Sequence, residues 1–295
     1  MMNQTIGLSK QILFGLPVDR DVLFSDHKSI YRQRIEKQQT KLIGKISFMK
    51  PFLKEDEKII LATTGCSPMS VLEQLLTGWI IFYLKRSLFV FTNKRIIQVP
   101  TKANYSYRGS IAQILYADCQ NVAMKRRTLV ITYKNGKKEK FYYIAGRERK
   151  KIKALLKTIS LEGEKSKSQG RINLCPRCTK ELIKDEYTCP HCRLVFKDKA
   201  EGKKVSIIYP GGGYFYTGHP FLGFGDAVTE LILMILVVVS LLNVLRGNES
   251  GISLLIFYGI LLFFEKVITV YHSNHFINEY IPKEKEIKPL PITGK

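Results

Sequence analysis

Two apolar runs, residues 227–245 and 252–271, are separated only by Arg246-Gly247-Asn248-Glu249-Ser250-Gly251 near the end of a 295-residue chain. A short polar turn between two apolar segments of this length is the pattern of a helical hairpin. As a helix, residues 228–245 cover about 27 Å at about 1.5 Å per residue, close to a bilayer hydrocarbon core of about 30 Å. The alternative is a pair of helices buried in a large soluble core. Val237-Val238-Val239 and Leu254-Leu255-Ile256 lie in runs that are apolar on all sides, which favours lipid.

Charge placement gives the hairpin an expected orientation. Lys197, Lys199, Lys203 and Lys204 precede it, Lys283, Lys285 and Lys288 follow it, and the turn holds one Arg and one Glu. The positive-inside bias then places both termini in the cytoplasm of a multi-pass inner-membrane protein, with only the turn outside. Residues 1–15 hold only short apolar stretches, broken by Lys10 and Gln11, unlike a secretory signal, so the hairpin is the expected targeting element. Each run also carries a charge. Glu230 lies about 18 residues before the centre of the turn and Lys266 about 18 after it, beside Glu265. In an antiparallel hairpin Glu230 and Lys266 share one depth, so they are expected to pair and lower each other's insertion cost.

Residues 227–295 hold as many acidic as basic side chains, so the formal charge of +22 belongs to residues 1–226. Beside an anionic leaflet each nearby basic residue contributes about 1 kcal/mol of attraction. Nucleic-acid phosphates would offer the same attraction, and composition does not separate the two.

Four of the six cysteines form Cys175-Pro176-Arg177-Cys178 and Cys189-Pro190-His191-Cys192, ten residues apart. Each Cys-x-x-Cys turn aims two thiolates at one ion, and two turns complete the closed tetrahedral set of structural zinc. Metal binding would supply most of the folding free energy of so short a segment. The other reading of a Cys-x-x-Cys pair is a redox dithiol, which would not need a second pair at this distance. His191 is expected to face solvent, and Cys66 and Cys119 to be small core residues.

Residues 55–161 read as strands. Expected strands are 58–63, 79–84, 87–92, 95–99, 128–133 and 139–144, the last two flanking the hairpin signal Asn135-Gly136. A closing helix over 147–159 places Ile152, Leu155, Leu156 and Ile159 on one face, and Arg149, Lys150, Lys151, Lys153 and Lys157 on the other. Residues 79–91 are too short for a membrane span and carry Lys85 and Arg86 at their centre, so two strands joined by a basic turn fit better. Lys85, Arg86, Lys94, Arg95, Lys125, Arg126 and Arg127 fall at expected strand ends. They form either a phosphate-facing surface or a solvated face. Residues 28–48 are expected to form an amphipathic helix through Tyr31, Ile35, Leu42 and Ile46.

Three stretches resemble known families. Leu88-Phe89-Val90-Phe91-Thr92-Asn93-Lys94-Arg95-Ile96-Ile97 is similar to the strand–Thr-Asn-Lys-Arg–strand signature of bacterial pleckstrin-homology and GRAM-like domains, and Ile114-Leu115-Tyr116-Ala117-Asp118 to their next strand and turn. That resemblance implies a bent sheet barrel capped by one helix, and members that bind phosphoinositides, proteins or nothing known, so the fold alone implies little about function. The cysteine segment resembles bacterial zinc ribbons, departing from them at Thr179 and Arg193, where those domains have Gly. Tyr209-Pro210-Gly211-Gly212-Gly213-Tyr214-Phe215-Tyr216-Thr217-Gly218 resembles the entry of bacterial two-helix membrane domains, which implies aromatic rings at headgroup level and an interfacial or re-entrant stretch over 205–217. The glycines lack the lysine and Ser/Thr of a nucleotide-binding loop.

The expected organisation is multidomain: a helical extension (1–54), an α+β pleckstrin-homology-like barrel (55–161), a flexible linker (162–171), a small zinc ribbon (172–197), a glycine- and aromatic-rich interfacial entry (205–226), an α-helical transmembrane hairpin (227–272) and a cytoplasmic tail (273–295). No Ser/His/Asp set or paired carboxylates suit catalysis, and His27, His191, His219, His272 and His275 are scattered, so the expected function is not enzymatic. The leading expectation is a membrane-anchored adaptor that uses the basic domain and structural zinc to bind anionic lipid headgroups or an unidentified protein partner. The alternatives are a membrane-tethered nucleic-acid binder and an accessory subunit of a membrane transport or secretion complex. Nothing in the sequence sets the oligomeric state.

Overall fold

In the computed structural model the described residues are 12–70, 73–75, 78–102, 104–163, 166 and 168–284. They fall into two compact units, the first comprising 12–184 and 190–192, the second 185–189 and 193–284.

In the first unit a short hairpin, β1 (Ile12–Leu13) and β2 (Leu16–Pro17), leads through α1 (Arg20–Leu23) to α2 (Gln33–Lys45) and a 3-10 turn over Ser47–Phe52. Then come β3 (Ile59–Cys66), α3 (Ile81–Leu84), β4 (Arg86–Thr92), β5 (Arg95–Pro100), β6 (Ile111–Leu115), β7 (Cys119–Lys125), β8 (Thr128–Tyr133), β9 (Lys138–Phe141), α4 (Arg149–Thr158) and β10 (Ile172–Leu174). Five strands pair antiparallel in the order β10-β6-β5-β4-β3, and three in the order β7-β8-β9. One corner joins the sheets, where Cys66 and Tyr142 exchange backbone hydrogen bonds of 2.8 and 3.2 Å. Gly65 permits that approach: a Cβ there would stand 2.6 Å from Ile144 and 3.2 Å from the Tyr142 carbonyl. Among the described residues no closed barrel forms.

The five-stranded sheet is buried on both faces, so its strands read as continuous apolar runs rather than alternating ones. On β4, Leu88 and Val90 join one core with Ile97, Val99, Ile43, Ile46 and Met49, while Phe89 and Phe91 join another with Ile131, Tyr133, Phe141 and Ile152. At about 1.5–3 kcal/mol per large side chain, either core makes a major contribution to stability. The amino-terminal segment is therefore half of the first core. Its helix also covers the sheet edge: the Gln39 amide donates to the Ala62 carbonyl and accepts from the Ala62 N–H, both at 2.9 Å.

Four expectations change. Residues 79–84 form a 3-10 turn (Gly78–Ile80) and α3, not a strand. Both edges of β4 are taken by β3 and β5, and carbonyls of this segment accept from side chains instead, Phe82 from Cys66 Sγ and Leu84 from Arg108. Lys151 leaves the basic face of α4 and is buried, donating to the Leu23 and Ser25 carbonyls at 2.9 and 2.7 Å. Described residues of the expected flexible linker are anchored, Ser166 to the Asp118 carboxylate and Arg171 to Glu139. The amphipathic helix is shorter, and Tyr31 lies exposed before it.

The second unit holds α5 (Lys199–Ile208), α6 (Gly212–Tyr216), α7 (Pro220–Leu245) and α8 (Ser250–Ile277). Asp198 caps α5 by accepting from the Glu201 N–H, and Pro220 starts α7, where its missing N–H costs nothing. The glycine run is a packing corner. A Cβ would stand 2.0 Å from the Gly223 carbonyl at Gly211, 2.3 Å from the Val205 carbonyl at Gly212 and 2.2 Å from Ser206 Oγ at Gly213. The expected entry is thus two short helices folded onto the base of the long pair. Helices α7 and α8 start earlier, and α8 ends later, than the apolar runs. Both are long and apolar enough to cross a membrane, and only 11% and 6% of their most apolar windows are buried within the chain.

Candidate functional site

The four cysteines come together, with their sulfur atoms all within 4.8 Å of one another and Cys175 Sγ 3.5 Å from Cys192 Sγ. Four sulfurs at about 2.3 Å from one zinc lie about 3.8 Å apart, so the set fits. Each turn closes on itself: Cys175 N–H donates to the Lys180 carbonyl and Thr179 N–H to Cys175, and the second turn repeats this with Cys189, Leu194 and Arg193. Thr179 and Arg193 carry left-handed backbones, φ 63° and 56°. That conformation is the reason glycine suits these two positions in the ribbons the segment resembles. His191 is exposed.

The seven basic candidates separate into three environments. Arg95 is buried and clasps Glu57 with two hydrogen bonds, Nε to Oε1 at 2.9 Å and Nη2 to Oε2 at 2.8 Å, while also reaching Gln113 and the Phe52 carbonyl. The rest of the Thr-Asn-Lys-Arg turn serves the same lock. Thr92 donates to Glu57 at 2.8 Å, Asn93 bonds the Asp56 carbonyl and Lys58 N–H, and Lys94 reaches the Glu55 carbonyl at 2.6 Å. Lys85 is also buried, 3.6 Å from Glu73. Neither Lys85 nor Arg95 faces a phosphate. Lys125 and Arg126 are exposed at the β7–β8 turn.

Arg86 is different, half-buried in the wall of a cavity, and the exposed Arg127 stands against Tyr143 of the same wall. A cavity of about 370 Å³ opens beside the corner that Gly65 permits, lined by Thr64, Cys66, Phe82, Tyr83, Arg86, Tyr105 and Tyr143. The Arg86 guanidinium lies 4.4 Å from the Tyr83 ring centre and 5.1 Å from that of Tyr105, and Arg127 lies 6.0 Å from that of Tyr143. Burial pushes the Cys66 thiol up to about 11, against the opposing pull of both Arg86 and Arg127. Tyr105 and Tyr143 hold left-handed backbones, φ 62° and 54°, which costs roughly 1–2 kcal/mol for a side chain of this kind. Such strain gathers where the surroundings demand one geometry. The tyrosines come from separate loops, so nothing in their spacing marks the cavity in the sequence.

In the second unit Lys266 Nζ lies 2.6 Å from Glu230 Oε2 and 2.9 Å from the Ser206 carbonyl. His272 is buried, with Nδ1 2.6 Å from the Tyr214 hydroxyl. Comparison of the chain with protein-family models, curated proteins and solved structures found no match.

Proposed function

We propose that this chain is a membrane-anchored binding protein. In this reading α7 and α8 cross the inner membrane with both ends in the cytoplasm, the zinc-held cysteine turns are structural, and the first unit is a pleckstrin-homology-like domain that takes anionic lipid headgroups. The observation that carries it is the cavity beside Arg86. Arg86 lines a concave, aromatic space of the size usual for small-ligand sites, about 300–1,000 Å³, and the exposed Arg127 stands 6.0 Å from the ring of Tyr143, another lining residue. Guanidinium is the side chain suited to phosphate by geometry as well as charge. The excess positive charge of residues 1–226 would hold that space near an anionic leaflet.

The test uses the full chain in nanodiscs at about 0.15 M salt, where long-range attraction is screened. Hydrogen exchange is compared between purely zwitterionic discs and discs carrying phosphatidylglycerol. Slower exchange over 62–66 and 86–88 in the anionic discs supports the reading. Equal exchange there, with protection gained only on adding an oligonucleotide, favours the nucleic-acid alternative and sinks this one.

A further inference from the structure

Three carboxylates meet in the second unit. Asp226 and Glu230 stand one turn apart on α7 and Glu265 faces them from α8, with one oxygen of each within 4.8 Å of the others. Proton donors around them are few. Lys266 serves Glu230 Oε2 at 2.6 Å and the Ser206 carbonyl at 2.9 Å. The Thr269 hydroxyl lies 3.0 Å from Asp226 Oδ2 and 3.3 Å from Glu265 Oε1, yet has one hydrogen to give. Glu230 is completely buried, and its Oε1 has no hydrogen-bond partner; Glu265 Oε2 is buried without one as well.

We propose that Asp226, Glu230 and Glu265 bind a hard divalent cation of the magnesium, manganese or calcium class. One ammonium against three carboxylates leaves the trio short of positive charge, with Glu230 fully buried and Asp226 and Glu265 half-buried. A single divalent ion removes that deficit. The donor set is all oxygen, which selects hard cations over the thiophilic metal of the cysteine turns. Oxygens sharing one ion at about 2.3–2.6 Å can stand no further apart than about 5 Å, a limit this trio meets. Glu230 Oε1, the oxygen of this completely buried side chain that has no hydrogen-bond partner, is the group a bound ion would satisfy. Lys266 and Thr269 position the carboxylates rather than bind the ion. Glu265 lies about halfway along α8 and Asp226 near the start of α7, so the site would sit towards the end of the pair away from the Asn248 turn.

The experiment uses the full chain, purified in detergent with its cysteine turns loaded with zinc, and titrates it with Mn²⁺ followed by electron paramagnetic resonance. The expected result is one bound Mn²⁺ per chain, displaced by Mg²⁺ or Ca²⁺ and accompanied by a raised unfolding midpoint. D226N and E265Q should each weaken binding by at least about tenfold, the effect typical of disturbing even an outer-sphere partner, while leaving the zinc content unchanged. Because either variant also relieves repulsion, its metal-free midpoint should equal or exceed that of the parent, which separates lost binding from lost folding. Absence of bound Mn²⁺ in the parent at millimolar concentration would overturn the proposal and assign the deficit to protons shared among the acids. Undiminished binding in both D226N and E265Q would overturn it equally.

Discussion

Arg95 gives the sharpest test of the division between structural and binding charges. Its guanidinium holds Glu57 at 2.9 and 2.8 Å, and both side chains are almost completely buried. Glu57 in turn accepts from Thr92 and from the Lys54 N–H, each at 2.8 Å. R95M leaves the carboxylate buried with two neutral donors, and E57M leaves the guanidinium with Gln113 and a carbonyl. Removing one partner of a buried pair costs about 3–5 kcal/mol, whereas replacing both with apolar groups of similar volume is often near neutral. The two single variants should therefore each lose about 3–5 kcal/mol, and E57M/R95M should lose less than their sum by at least about 2 kcal/mol. The assay is denaturant unfolding of the full chain in detergent, followed by the fluorescence of its single tryptophan, at position 79 in the first unit. Additivity within about 0.5 kcal/mol would refute the reasoning, because it would mean that the two charges do not interact.

Other perturbations follow from the same geometry. Removing zinc by chelation, or by C189S, should abolish metal binding at one ion per chain and expose 172–196 to proteolysis; retained protection without metal would contradict the cysteine assignment. T179G and R193G should each stabilise the metal-bound turns by about 1 kcal/mol, read as slower zinc loss to a chelator, because glycine carries no penalty at φ 63° or 56°. Lys151 is held down to about 8 by burial, opposed by Glu148 and Asp26. Its folded form gives up the proton more readily than its unfolded form. The burial penalty is therefore complete below pH 8, and stability recovers as pH rises towards the unfolded value of 10.5, by at most roughly 3 kcal/mol. The stability of the parent relative to K151M should rise across that window, and a flat difference would count against a buried, charged Lys151. G213A should disrupt the second unit, since its Cβ meets Ser206 Oγ at 2.2 Å; an unchanged unfolding midpoint in detergent would show that corner to be loose.

Much of the fold was legible because its signals are local. The Asn135-Gly136 turn, the strand over 128–133, the apolar face of α4, the pairing depth of Glu230 and Lys266 and the cysteine spacing all depend on neighbours a few residues away or on simple antiparallel geometry. What was not legible depends on tertiary context. Residues 79–84 are apolar and aromatic enough for a strand, yet they fold as a 3-10 turn and a short helix while β3 and β5 take both edges of β4. Lys85 and Arg95 sit at strand ends like surface charges, but Glu73 and Glu57, brought from elsewhere in the chain, bury them. Asp226 was hidden by a boundary drawn at the first apolar residue, although its spacing of four from Glu230 already placed both on one helix face. The cavity beside Arg86 had no sequence signal, since its lining is gathered from β3, α3, β4 and two loops.

The central claim is that Arg86 and Arg127 bind an anionic headgroup while the buried Lys85, Arg95 and Lys151 hold the fold. It is tested most directly by titrating the full chain, in zwitterionic nanodiscs, with the water-soluble headgroups glycerophosphoglycerol and glycerophosphocholine, followed by phosphorus NMR. A charge-assisted hydrogen bond contributes about 1.5–3 kcal/mol, so R86A should weaken glycerophosphoglycerol binding roughly 10- to 100-fold, with R127A in the same direction and K125A without effect. Equal affinity for the two headgroups, or equal affinity in the parent and R86A, would contradict the account.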